Sequence, residues 1–404
     1  MPDFNFKARQ IIEALRSGIP SRTVGEYFSE ARPKIMAQIS GKLETVRETG
    51  RSDGMIFTGR YGEGKTHLLN TVFNMGSDSN MVVSLLPLGK ETPLDKLHIL
   101  LPKLIANTYL PGAMQPGFRY KIEELTPNSS AANELLAYSA RELETDKLYY
   151  LLRALLGTQD EEDKNAFLAD LEGDFVSNSL IRKGYRSVTG VTAKFNQNFS
   201  KTKHSMDYIR FFAHMFRTLG YDGWVILFDE AELIGRYGKK ARAKSYAMMH
   251  RFLSPSAELE SVFTMFSFSA SFVEDVIDKR DEFTNVRETF AESPEEKKAS
   301  ESSLNAIIHA PELLPLTRDE IRQVLLSIQE FHGLAYDWHP DISEETLYQA
   351  TQSGGYLLRT KIRAAIELLD QLYQYGEAGK TRITELGKEI LDEQEVPDLS
   401  EIIE

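Results

Sequence analysis

The segment "GRYGEGKTHL", Gly59 to Leu68, directly follows the apolar run Met55-Ile56-Phe57. It constrains the fold more than any other stretch. A plain turn needs one or two glycines, whereas Gly59, Gly62 and Gly64 stand within six residues, followed by Lys65 and Thr66. The spacing fits G-x-x-x-x-G-K-[ST], and it lies between a predicted strand, "GMIFTG", and a predicted helix, "THLLNTVFNM". Glycines let the backbone turn tightly and aim consecutive N–H groups at one point. The start of the following helix adds partial positive charge. Gly59, Arg60, Tyr61, Gly62, Glu63, Gly64, Lys65, Thr66 and His67 are therefore expected to cradle a nucleoside triphosphate. Lys65 would reach the β- and γ-phosphates, and Thr66 would ligate Mg²⁺.

A second signal is "WVILFDE", an apolar run ending in Asp229-Glu230. Carboxylates just past a buried strand are costly unless they face a site or cap the next helix. Beside a phosphate loop, Asp229 is expected to hold Mg²⁺ and Glu230 to deprotonate an attacking water. Glu232 is the weaker substitute, because it stands further along the next helix. The alternative reading is that both acids merely cap "AELIGRYG".

Strands are also expected at "NMVVSLLPL" (80–88), "VFTMFSFSAS" (262–271) and "NAIIHA" (305–310), the last preceded by a polar, mobile stretch at 292–303. Helices alternate with these strands, which predicts a parallel sheet with crossover helices. Among the helices are one from Val24 to Glu48, one over 94–110 and one over 206–220. Over 160 residues separate Lys65 from Asp229, more than a compact core needs, so 115–205 reads as a helical insertion. After Pro311 the pattern is helical throughout. The expected division is 1–50 as a helical segment packed on the core, 51–310 as the α/β core, and 311–404 as a helical lid with an acidic tail.

The strand "FTMFSFSAS" should lie beside the Asp229 strand, so Ser269 and Ser271, and Ser267 earlier, are candidates to touch a γ-phosphate or water. Arg359, after the Gly354-Gly355 break, could fold onto the γ-phosphate, with Arg363 as runner-up and a surface ion pair as the alternative. Arg236, Arg280 and Arg287 are candidates for an arginine acting on a neighbouring subunit, though each is more often a solvated side chain. Ile19 and Pro20 form an apolar hinge that could pack on adenine.

Composition excludes several classes. There is no cysteine, so disulfides and thiolate metal sites are out. No apolar run is long enough to span a bilayer, and Met1-Pro2-Asp3-Phe4-Asn5 has no secretory character, so no membrane and a cytoplasmic setting are expected. The formal net charge of −13 disfavours indiscriminate nucleic-acid binding. The charge is uneven, however. Arg182, Lys183, Arg186, Lys194, Lys201 and Lys203 fall in a stretch without acids, and "RYGKKARAKSYAMMHR" (236–251) is a second basic stretch. Both are open to two readings, DNA or an acidic partner, the latter including the acidic run Glu389–Glu404.

"GRYGEGKTHLLN" and "VILFDEAELI", with "LPLTRDEIRQVL" and "LRTKIRAAIELLD" in the helical end, resemble AAA+ ATPases of the replication-initiator-like branch. More narrowly, together with "ALRSGIPSRT", they resemble the ATP-binding proteins of BREX-type bacterial phage-defence systems, the BrxD-like group. The resemblance implies an AAA+ core, ATP with Mg²⁺, other defence-system proteins as partners, and DNA or further copies of the chain as candidate partners. It places Gly59 through Thr66, Asp229 and Glu230 at the nucleotide and Arg359 at a sensor-like lid position. No arginine matches the family's arginine finger unambiguously, so hydrolysis could depend on a partner subunit.

Overall fold

The computed structural model describes residues 2–18, 22–27, 32–254, 258–354 and 357–377. Ile19, Pro20, Gly355 and the acidic run Glu389–Glu404 lie outside the described residues. The described chain forms two compact units. One draws on Arg32–Arg60 and Lys65–Leu313, the other on Met1–Ala31, Tyr61–Gly64 and Leu314–Glu404.

The larger unit is built on a six-stranded sheet: β1 (Asp53–Gly59), β2 (Val82–Pro87), β3 (Thr108–Tyr109), β4 (Trp224–Asp229), β5 (Val262–Ser269) and β6 (Glu312–Leu313). Their order is β3-β2-β4-β5-β1-β6, and every pairing is parallel except β2 with β3. Parallel strands are covered on both faces, which explains the unbroken apolar runs. In β4, Val225 and Leu227 face one core with Met55, Phe57, Phe263 and Met265. Trp224, Ile226 and Phe228 face the other with Ile56, Val82 and Phe266. This is the period-2 alternation of a strand, apolar on both sides. The first face is closed by the helices Pro33–Thr49 and Lys65–Asp78 through Ile39, Val46, Leu69 and Val72.

The Pro33–Thr49 helix begins at a proline and ends on Gly50 in the left-handed region (φ 69°). The continuous helix expected from Val24 to Glu48 is therefore two, Arg22–Tyr27 and Pro33–Thr49. Pro33 disfavours helical backbone in the residue before it and starts a new helix instead. The helix expected over 94–110 is shorter, Leu97–Ala106, and its tail turns into β3. The expected strand at 305–310 is corrected to helix, because Pro294–Ile308 is one continuous helix that also absorbs the polar stretch. Its buried residues Ser300, Ser303, Leu304 and Ile307 follow helical spacing. Ser300 and Ser303 donate to Ala243 O (3.2 Å) and Tyr246 O (2.8 Å).

Between β3 and β4 the chain is helical: Arg119–Glu123, Ser130–Arg141, Lys147–Gly157, Glu161–Ala169, Asn178–Thr189 and Lys201–Thr218. At its centre Lys147 Nζ meets Asp170 Oδ2 at 2.6 Å, both side chains fully buried, and Tyr208 Oη donates to Asp170 Oδ1 at 2.6 Å. Phe199 lies under the Lys147 ammonium at 4.1 Å.

The smaller unit contains the helices Pro2–Ser17, Arg318–Tyr336, Glu344–Ala350 and Leu358–Tyr375. Ala8 and Ile12 of the first helix enter a core with Val324, Leu325, Ile328, Leu347, Ile366 and Leu369. Arg16 binds Asp370 in two places (2.7 and 3.1 Å), and Arg9 donates to Ala335 O (2.6 Å). The segment 1–50 therefore does not act as one piece. Its first helix belongs with the C-terminal helices, and its Pro33–Thr49 helix covers the sheet.

Candidate functional site

The glycine loop leaves β1 at Gly59 and enters the Lys65–Asp78 helix. Gly62 (φ 78°) and Gly64 (φ 90°) occupy left-handed backbone, which a side chain would strain. Lys65 Nζ is folded back on Gly59 O at 3.0 Å. Thr66, in the first turn of the helix, donates its hydroxyl to Asp229 Oδ2 at 2.6 Å, across 163 residues of sequence.

Asp229 is the last residue of β4 and is buried. Its other oxygen, Oδ1, accepts from the Ser267 hydroxyl and from Glu230 N (2.9 Å). The parallel register that pairs Phe228 with Phe266 brings Ser267 alongside. Ser267 Oγ also accepts from Glu230 N at 3.2 Å. Ser269 and Ser271 instead bond to each other (3.1 Å). Of the three candidate serines, Ser267 is the one bonded to Asp229. The alternating "FSFS" run of β5, with both phenylalanines in the core, was the available signal that Ser267 lies between them on the opposite face.

Glu230 has left-handed backbone (φ 53°, ψ 36°) and is exposed. Its carboxyl is raised above the ordinary value by partial burial first and by the Asp229 charge second, while Lys65 and Arg236 oppose the shift. Glu232, in the short helix Ala231–Arg236, has Oε2 buried and without a hydrogen-bond partner among the described residues. Burial raises its carboxyl, and Lys65 is the largest opposing influence. Glu232 thus feels the charge of Lys65 from within the short helix that follows β4.

In the smaller unit, Arg359 donates to Tyr61 Oη at 3.3 Å and also to Gly18 O. Gly18 (φ 67°) permits this closeness, since a Cβ there would stand 2.6 Å from Arg359 Nε. Arg363 keeps its Nε buried without a hydrogen-bond partner among the described residues. Of the other arginines, Arg280 is committed to Gly235 O (2.8 Å) and Arg287 to Glu301 (3.2 Å), while Arg236 is exposed. Glu63 is buried, and His67 is half-buried.

These elements define a mixed α/β protein in which a lysine, a threonine and a buried aspartate lie at the C-terminal ends of mostly parallel strands. The chain belongs to the family described as BREX system ATP-binding protein BrxC/D, whose model matches residues 5–117 and 146–387. The match resumes inside the helical stretch between β3 and β4, so much of that stretch is shared with the family. No curated protein matches the chain closely enough to count as a relative. Among the described residues no helix is long and apolar enough to cross a membrane.

Proposed function

We propose that this protein binds ATP with Mg²⁺ through the glycine loop and hydrolyses it as an AAA+-like ATPase. The turnover would drive assembly or remodelling alongside other proteins of a BREX phage-defence system. The contact between Thr66 Oγ1 and Asp229 Oδ2 (2.6 Å) carries this reading. A hydroxyl and a carboxylate already touching are hard oxygen donors, and Mg²⁺ takes few protein ligands beyond phosphate and water. The residues present therefore fit the ion, with Thr66 and Asp229 as its protein ligands. When bound, Mg²⁺ would neutralise charge on the β- and γ-phosphate oxygens.

The chain's own residues do the rest. Backbone N–H groups of Arg60 to Thr66 orient the phosphates, and Lys65 exchanges Gly59 O for a phosphate oxygen. Ser267 holds Asp229 in its rotamer. Glu230 accepts the proton of the attacking water, and its raised carboxyl is suited to a general base. Arg359 would bring the helical unit to the γ-phosphate as a lid arginine, and Ile19 and Pro20 would pack on the base. Phosphate release by wild type and by Lys65→Ala tests the proposal. Wild-type turnover lost in the variant supports it.

A second reading, a nucleotide-gated switch with little turnover, is favoured because no arginine matches the acting-in-trans position unambiguously. ATP binding without phosphate release, alone or with partner proteins added, would select it.

A further inference from the structure

Each of the two basic stretches of sequence brings a lysine to the surroundings of Lys96 in the larger unit. Three helices there start on lysine: Lys96 precedes Leu97–Ala106, Lys201 opens Lys201–Thr218, and Lys239 opens Lys239–Leu253. None has an acidic residue in its first turn or a side-chain cap. A helix start favours negative charge, so these lysines do not stabilise their own helices.

Packing brings them together. The Leu97–Ala106 and Lys201–Thr218 helices pack on one another. Tyr237 Oη, two residues ahead of Lys239, donates to Gly89 O at 2.7 Å and ties that helix start to the segment leading into Lys96. The charges of Lys96 and Lys201 both act on His98, and those of Lys96 and Lys244 both act on Asp95. Lys240 stands one turn before Lys244, on the same helix face. Lys96, Lys201, Lys240 and Lys244 are exposed and form no ion pair among the described residues. Lys183 and Lys203, by contrast, lean on Asp163 (3.6 Å) and Glu144 (3.5 Å).

Two further observations narrow the partner. The whole chain carries −13, so a local cluster of unpaired lysines is not a by-product of general basicity. Of the exposed large apolar side chains among the described residues, Ile99 alone lies within these three helices. The core of a protein interface is more apolar and poorer in charge than this face, whose one exposed large apolar side chain in the three helices is Ile99. Separate lysine point charges beside open helix N–H groups match a row of phosphates. Leu88 N, at the start of the segment that leads to Lys96, donates to Asp229 O at 2.8 Å.

We propose that Lys96, Lys201, Lys240 and Lys244 form a nucleic-acid docking face that grips the phosphate backbone without reading bases. It stands independently of ATP hydrolysis, since it uses none of the glycine-loop residues.

The test is fluorescence anisotropy of the full chain with labelled single-stranded and duplex oligonucleotides, over salt from about 50 to about 200 mM. The triple variant Lys96→Glu, Lys201→Glu, Lys244→Glu should bind at least roughly tenfold more weakly. Its log–log salt slope should be shallower by about 2 to 3. A milder variant, Lys201→Gln with Lys244→Gln, should fall between it and wild type and guards against misfolding of the triple variant. Binding of a labelled ATP analogue on the same samples should be unchanged, which separates failure of this face from failure of the nucleotide site. The proposal is overturned if wild type binds neither oligonucleotide, if the triple variant binds like wild type, or if labelled polyglutamate binds this face while both oligonucleotides do not.

Discussion

Ser267 donates its hydroxyl to Asp229 Oδ1 while Thr66 donates to Oδ2, so both oxygens of one buried carboxylate are fixed from neighbouring elements. The strand between the glycine-loop strand and the Asp229 strand thus supplies the side chain that aims the aspartate. Second-layer partners of this kind typically alter metal affinity by 10- to 100-fold when removed. Ser267→Ala should therefore raise the Mg²⁺ concentration needed for half-maximal ATP binding by roughly tenfold, with little change in metal-free binding. A magnesium titration of a fluorescent ATP analogue measures it. An equal loss with and without Mg²⁺ would remove Ser267 from this role.

Glu230 and Glu232 compete for one task. Glu230→Gln should preserve ATP affinity and lower phosphate release by about 100-fold or more, the scale of a lost general base. Glu232→Gln should lower it far less, because that carboxyl is buried beside Lys65 and not presented at the strand end. Single-turnover hydrolysis by both variants decides the assignment. The reverse ranking would transfer the base role to Glu232.

The Lys147–Asp170 pair should dominate the stability of the helical insertion. Both side chains are fully buried, so Asp170→Asn leaves an unpaired ammonium at a cost of about 3–5 kcal/mol. Replacing both, Lys147→Met with Asp170→Leu, should recover much of that loss. Chemical denaturation of the two variants checks it, and equal destabilisation would show that the pair's charge is not what matters.

Asp370 gives the helical unit a defined acid limit. Burial would raise its carboxyl, but hydrogen bonds from His332 (2.9 Å) and Arg16 outweigh burial and hold it below the ordinary value. Glu13 is lowered too, first by its bond from Arg16. A lowered carboxyl adds stability above its unfolded value, about 4, and loses it as pH falls through the folded value. Arg16→Ala should therefore melt below wild type at neutral pH, with the gap closing below about pH 4. Thermal melts over that range measure it, and a gap independent of pH would contradict the linkage.

Much of this arrangement was legible in the sequence because its signals are local. β1, β2 and β4 are apolar runs ended by glycine, proline or an acid, β5 is an apolar run ended by small serines, and two separate motifs assign Thr66 and Asp229 to one expected Mg²⁺. β3 and β6 hold two residues each, too few for any periodicity. Residues 305–310 imitate a strand because Ile307 and Ile308 are β-branched and the run is short; the deciding pattern lies upstream, at Ser300 and Ser303. The destination of the first helix was hidden because Arg16 and Asp370 are 354 residues apart, and neither carries a mark of the other.

The most direct measurement is isothermal titration of ATP, with and without Mg²⁺, into wild type, Lys65→Ala and Asp229→Ala. The account predicts tight binding by wild type with Mg²⁺ and at least a tenfold loss in Lys65→Ala, since a charged hydrogen bond contributes about 1.5–3 kcal/mol. It also predicts that Mg²⁺ no longer strengthens binding in Asp229→Ala. Wild-type affinity in both variants would mean that the nucleotide sits elsewhere.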